Sequence, residues 1–223
     1  MLLFSILGDS ISTYTEYNPC GYAVFYDDKK CIKNGIYNVS DTWWNQVIKA
    51  CDGKMLVNDS FSGSRVSGVG FPSANCVQRI LNLRKDEIPD IILVYIGFND
   101  FGYGVPLKRK WFSNMNRLLF FQDSYDIMLK RLKTAYPDAI IVCGTLSKTF
   151  ISNKPNWKFP EQYTGKVPFS SYNASIRKIC RKNKVFLAEL SNIVYETYDG
   201  SHPTINGHKT FADGWIEELR SII

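Results

Sequence analysis

Histidine is scarce in this 223-residue chain: there are two, His202 and His208. The six cysteines (Cys20, Cys31, Cys51, Cys76, Cys143, Cys180) never approach a CxxC spacing, so a closed structural zinc site lacks ligands. Their dispersion also argues against a disulfide framework, and Cys143, set in an apolar run, reads as a buried thiol. Long apolar runs are missing too, and no stretch reaches the roughly 20 residues that a membrane span needs. The apolar opening from Met1 to Leu7 has no basic flank and no small-residue cleavage site, so it reads as a first strand. The expectation is a soluble, cytoplasmic protein with no membrane span, no metal and no organic cofactor. Acidic residues are outnumbered 27 to 21, giving a net charge of +6, which is basic but short of a nucleic-acid footprint. The nearest basic cluster, Lys108, Arg109 and Lys110, runs straight into Trp111 and Phe112 and reads as a solvated loop face; no nucleic-acid partner is expected.

What is present is ordinary globular material, 45% hydrophobic, 14% aromatic and 22% charged, with length enough for one large domain over residues 1–223. Five short apolar runs recur: Leu2 to Leu7, Lys54 to Val57, Ile91 to Ile96, Ala139 to Cys143 and Val185 to Leu190. The first, third and fourth are nearly continuous in Leu, Ile and Val, the mark of parallel strands covered on both faces. Amphipathic stretches alternate with them: Thr42 to Ala50 capped by Asp41, Ser73 to Leu83, Asp123 to Tyr136 stopped by Pro137, Ser170 to Asn183, and Asn206 to Ile223. This alternation predicts a right-handed parallel α/β sheet. Three segments break the rhythm, Ile11 to Ser40, Phe101 to Gln122 and Ser147 to Pro168. Each follows a strand, where an open parallel sheet builds its ligand site.

Gly8-Asp9-Ser10 places a hydroxyl at the carboxyl end of the first strand. Alone, the tripeptide is what any turn or helix cap uses. Near the other end of the chain, Asp199 stands three residues before His202, a spacing that in a turn lets the carboxylate reach Nδ1 and direct Nε2 outward. Serine plus an Asp-His pair on loops of one sheet matches nucleophilic acyl transfer. Donors for an oxyanion are available after the second and third strands: a backbone N–H at Gly63, in Asn58-Asp59-Ser60-Phe61-Ser62-Gly63-Ser64-Arg65, and the Asn99 amide in Gly97-Phe98-Asn99-Asp100. Either motif by itself is also a plain tight turn.

In this order the four blocks resemble the SGNH hydrolases, the GDSL-like esterase and lipase superfamily, over nearly the whole chain. The resemblance implies a three-layer α/β/α sandwich with a flavodoxin-like, five-stranded parallel sheet. It implies Ser10 as nucleophile, His202 as general base and acid, Asp199 as its orienter, and an oxyanion hole of the Ser10 N–H, the Gly63 N–H and the Asn99 side chain. Ile11 replaces the leucine that often follows the serine. The stretch after Ser10, with Tyr14, Tyr17, Tyr22, Phe25 and Tyr26, is longer than the tight junction many members use. No GxSxG elbow exists, which argues against an α/β-hydrolase.

The expected function is a serine esterase removing a short acyl group, acetyl foremost, from a carbohydrate. A thioesterase, lysophospholipase or acyltransferase of the same superfamily is the alternative, and a non-catalytic carbohydrate-binding module ranks last. The substrate is expected to be a small-molecule or carbohydrate ester, with Arg65, Phe98 and Tyr14 as candidate contacts. Aromatics with polar handles crowd the loops, among them Tyr22, Tyr26, Trp43, Trp44, Tyr103 and Trp157, although one of Trp43 and Trp44 at least belongs to the core. Arg65 is expected either to meet an acidic substrate or to tie its loop to Asp59 or Asp100. Asp9 and Asp100 are assigned structural hydrogen bonds, and His208 the first turn of the last helix.

Overall fold

Apolar strands without a polar face must be covered on both sides, and the fold follows from that requirement. The computed structural model describes residues 1–109, 114–162 and 167–223; the readings of Lys110, Trp111 and Phe112 lie outside the described residues. The described strands are β1 (Leu3–Gly8), β2 (Lys54–Ser60), β3 (Ile91–Tyr95), β4 (Ile140–Gly144), β5 (Lys148–Ile151), β6 (Phe186–Ala188) and β7 (Val194–Thr197). Five of them form one all-parallel sheet in the order β2-β1-β3-β4-β6. Every residue of β3 is buried, as are Phe4 to Gly8 of β1. The helices are α1 (Asp28–Asn34), α2 (Trp43–Ala50), α3 (Val77–Leu81), α4 (Phe98–Gly102), α5 (Phe121–Ala135), α6 (Phe169–Asn183) and α7 (Ile205–Leu219). On one side of the sheet α2 packs on α7; on the other α5 packs against α3 and α6. This is a three-layer α/β/α sandwich.

Register decides where the loops emerge. Gly8 is level with both Ser60 and Tyr95, so β1, β2 and β3 end side by side and release their following loops at one edge. Trp43 and Trp44 are both fully buried, and Trp43 stacks on Trp215 with ring centroids 5.3 Å apart, so neither lines a pocket.

Local details differ from the expectations. Asp41 does not cap α2; its carboxylate accepts the Tyr37 and Asn38 N–H groups and closes the preceding turn, while Thr42 holds the cap position. The helix expected over Ser73 to Leu83 shrinks to Val77–Leu81, because Asn75 is occupied elsewhere, its amide donating to the Val66 and Gly68 carbonyls. Inside the segments expected to be loops lie α1 and β5, and α4 runs two residues into the segment that starts at Phe101. β5 pairs in parallel with β7 to make a second, two-stranded sheet.

Candidate active site

The chain leaves β1 through Asp9, in extended conformation, and enters a single 3-10 turn, Ser10–Ser12. Asp9 fastens this turn by accepting the Ile11 N–H at 3.1 Å, and Thr13 Oγ donates to the Ser10 carbonyl at 2.9 Å. Position 8 is close-packed: a Cβ there would stand 2.8 Å from Ser12 Oγ and 2.9 Å from Ser60 Oγ, so a side chain would force these hydroxyls aside. The turn presents Ser10 Oγ at 2.9 Å from His202 Nε2. His202 Nδ1 lies 2.8 Å from Asp199 Oδ2, so three side chains from opposite ends of the chain form one hydrogen-bonded line.

The Asp199 to His202 turn is held by the small sheet. Thr197, which ends β7, receives the Gly200 N–H on its hydroxyl and donates that hydroxyl to the Phe150 carbonyl. Thr149 of β5 donates to the Gly200 carbonyl at 2.7 Å. Asp199 Oδ1 accepts the Ser201 and His202 N–H groups at 3.0 and 2.9 Å, leaving Oδ2 for the ring. Burial works against the Asp199 charge, but the hydrogen bond and charge of His202, with those two N–H groups, hold its pKa down to about 2. An ionised Asp199 can only accept, so Nδ1 is the nitrogen that carries a proton, and in the neutral imidazole Nε2 is the bare one facing the Ser10 hydroxyl.

The expected oxyanion donors gather at the same sheet edge. Asn99, in α4 after β3, donates its amide to the Ser64 carbonyl at 2.9 Å and makes a long contact of 3.4 Å to Asp9 Oδ2. The second distance is weak for a hydrogen bond, so one N–H of Asn99 remains available. Gly63 sits in the loop after β2 with φ of +79°, which favours glycine, and is exposed. Among the described residues nothing accepts the Gly63 or Ser10 N–H. Asp100 ties this loop to α4 by accepting the Val66 and Ser67 N–H groups at 2.8 and 3.0 Å. Both motif carboxyls are pushed up by burial, Asp9 to about 7 and Asp100 to about 6.

Two residues around the site were not legible as participants. Phe25 lies flat on the His202 ring, with centroids 3.3 Å apart and planes within 7°, and Lys30 sits over the Phe25 ring at 5.1 Å. Arg79, fully buried, bonds Asp59 Oδ1 at 2.7 Å, Ser64 Oγ at 2.6 Å, the Pro72 carbonyl at 3.0 Å and the Gly8 carbonyl at 2.9 Å. Asp59 thereby belongs to Arg79, and Asp100 to backbone N–H groups. The expected ties of Arg65 to these carboxylates do not form; Arg65 instead stacks on Tyr103, 5.1 Å from the ring centroid. Phe98 is buried among Phe101, Phe159 and Phe169 rather than offered to a substrate. Tyr14 is half-buried and edge-on to Tyr17. Tyr26 is buried with its hydroxyl on the Pro203 carbonyl, beneath the histidine turn. His208 lies in the first turn of α7, buried, with Nδ1 accepting the Trp43 N–H at 3.1 Å.

A cavity of about 340 Å³ adjoins Gly63, walled by Ser64, Arg65, Gly70, Phe71 and Tyr103. A larger one of about 680 Å³ lies at the outer edge of β2, by Tyr17, Met55, Leu81 and Arg84; Ser10, Asn99 and His202 are in the wall of neither, and only the smaller one reaches the site, at Gly63. Among the described residues there is no cluster of His, Cys, Asp and Glu fit to hold a metal ion, and no helix long and apolar enough to cross a membrane.

Known proteins share this fold. A protein from Bacteroides uniformis described as a GDSL-like lipase is 26% identical, with a TM-score of 0.75 over 99% of this chain and 96% of its own. One of like description from Bacteroides ovatus is 24% identical, with a TM-score of 0.76 over 99% of each chain. The same fold recurs in a family two carbohydrate esterase from Clostridium thermocellum in complex with cellohexaose, 18% identical, with a TM-score of 0.59 over 99% of this chain and 64% of that one. No curated protein matches the sequence. The profile of GDSL-like lipases and acylhydrolases matches residues 2–155, well over half of the chain. The chain therefore belongs to the GDSL-like lipase/acylhydrolase family of ester-hydrolysing enzymes.

Proposed function

We propose that the protein is a serine esterase that removes short acyl groups, acetyl foremost, from carbohydrate hydroxyls. The observation that carries the reading is the unbroken line from Ser10 Oγ through His202 to Asp199, at 2.9 and 2.8 Å. In this reading Ser10 Oγ attacks the ester carbonyl carbon while its proton passes to His202 Nε2. Negative charge builds on the carbonyl oxygen, where the Ser10 and Gly63 N–H groups and the spare N–H of Asn99 receive it. Collapse expels the alcohol, which takes the proton from His202, and leaves an acyl group on Ser10. Water then repeats the sequence with His202 as base, returning carboxylic acid and free enzyme. Asp199 stays ionised throughout and balances the imidazolium.

A polar alcohol portion is favoured by the lining of the cavity beside Gly63, which holds Ser64, Ser67 and Ser73 as well as Phe71. A carbohydrate as the alcohol rests on Tyr103, an exposed aromatic with a polar handle in that wall, and on the fold shared with a carbohydrate esterase. The test is hydrolysis of 4-nitrophenyl esters of rising chain length. Activity should peak at acetate and fall at least about 10³-fold in kcat/KM in Ser10→Ala and in His202→Ala. Activity that survives Ser10→Ala overturns the assignment, and a peak at long chains moves the substrate to lipids or thioesters.

A further inference from the structure

We propose that Arg65 is a carboxylate-binding residue of the substrate cleft, so that the ester this enzyme cleaves carries a carboxylate on its alcohol portion. The inference rests on the esterase reading above and specifies its substrate class. Arg65 stands two residues beyond Gly63 and lines the cavity that adjoins it. At about 340 Å³ this cavity is at the small end of ligand clefts, roughly 300–1,000 Å³, and suits one ring-sized group. An acetyl group is too small to need it, so its occupant is the alcohol.

Arg65 forms no ion pair within the protein, and its charge reaches the buried Asp100 only at longer range. Every aspartate and glutamate of the chain is among the described residues, and none is within ion-pair distance of Arg65. The nearest candidate, Asp100, is fully buried with both carboxylate oxygens on backbone N–H groups. Among the described residues Arg65 is also the only charged side chain in the cavity wall. Its contact is the face of Tyr103, 5.1 Å from the ring centroid, and a guanidinium placed there can turn its N–H groups to a planar, bidentate acceptor. The Val69 and Gly70 N–H groups, from the same wall, are accepted by no described residue and add further donors. One guanidinium matches the single charge of a carboxylate better than a phosphate dianion, so an acidic sugar fits the site.

The test compares two acetyl esters of one shape, 3-acetoxybenzoate and its neutral isostere 3-acetoxybenzamide, in the parent and in Arg65→Gln. The parent should favour the anionic ester in kcat/KM, and Arg65→Gln should lower that preference about 10- to 100-fold. Arg65→Lys should retain part of it, since the charge remains while the fork is lost. A preference that is absent from the parent, or unchanged in Arg65→Gln, overturns the proposal. Calorimetric titration with 3-acetamidobenzoate, which the enzyme need not cleave, separates this failure from failure of the esterase reading. Binding at least five times weaker in Arg65→Gln sustains the proposal even where neither ester is hydrolysed; equal binding, or none to the parent, overturns it.

Discussion

In the proposed mechanism the base must hold two hydrogen bonds in one plane, and a phenyl ring packs flat against the imidazole that would do so. Asp199 and Ser10 lie on opposite nitrogens of His202, so rotation of the imidazole about its own axis breaks both bonds. Phe25, stacked within 7° of the ring, opposes that rotation. Aromatic pairs contribute roughly 0.5–1.5 kcal/mol beyond burial, about a three- to tenfold effect on a rate that depends on the pose. Phe25→Leu, which keeps the bulk and loses the flat face, should therefore lower kcat three- to tenfold with little change in KM, and Phe25→Tyr should restore it. Steady-state kinetics on 4-nitrophenyl acetate, with thermal midpoints to confirm folding, decide the matter; a loss seen only in KM would place Phe25 in substrate binding instead. Ser10, Asp199 and His202 were legible because each sits in a short motif whose order along the chain is informative. Phe25 was visible only as one aromatic among several in a long segment, since its partner lies 177 positions away and no spacing rule reaches that far.

At the scale of elements, the buried Arg79 joins pieces that the sheet alone would leave independent. From α3 it reaches the carbonyl end of β1 at Gly8, the end of β2 at Asp59 and, through Ser64 and Pro72, the loop that carries Gly63. Both partners of its ion pair are fully buried, so removing one leaves an uncompensated charge in the interior. Arg79→Met should cost about 3–5 kcal/mol in denaturant unfolding, and the double variant Arg79→Met with Asp59→Leu should recover a large part of it. If the single variant loses less than about 1 kcal/mol, the guanidinium is not the tie described here. The five strands of the main sheet were legible because continuous burial leaves a continuous apolar signature. The small sheet was not: Lys148–Ile151 and Val194–Thr197 are four residues each, alternate in burial, and are paired across more than forty positions. It nevertheless positions the histidine turn, because its threonines hold both the N–H and the carbonyl of Gly200. Arg79 was hidden for a similar reason, an arginine in an amphipathic stretch being an exposed residue by default.

For the whole molecule, stability against pH is set by buried groups that pull in opposite directions. Asp9 and Asp100, raised by burial to about 7 and about 6, hold protons that the unfolded chain has released; their contribution is present near pH 4 and lost as pH rises through those values. His208 acts the other way. Burial lowers it to about 3, with a smaller effect of His202, so between pH 6.5 and 3 the unfolded chain binds the proton and the folded one does not. Its neutral form is also the one the fold needs, because Nδ1 must accept the Trp43 N–H at the start of α2. Asp126 adds a third contribution: it bonds Asn183 and pairs with Lys130 and Lys182 across α5 and α6, and these together outweigh its burial and lower it to about 2. That stabilisation is complete above about pH 4 and disappears as pH falls through 2. Between pH 6 and 4 the two carboxyls outnumber His208, so the expected outcome is a thermal midpoint that holds or rises slightly on acidification over that range and then falls below pH 4. His208→Asn keeps an acceptor for Trp43 and removes the titration that opposes the carboxyls, so its midpoint should rise more than the parent's on acidification from pH 6.5 to 4, by several degrees, while the fall due to Asp126 below pH 4 stays in place. Asp126→Asn should do the reverse, lowering the midpoint at neutral pH and flattening only the acid limb. Calorimetric scans of the three proteins from pH 3 to 8 distinguish the two, and identical slopes in parent and His208→Asn would remove His208 from the account of acid sensitivity.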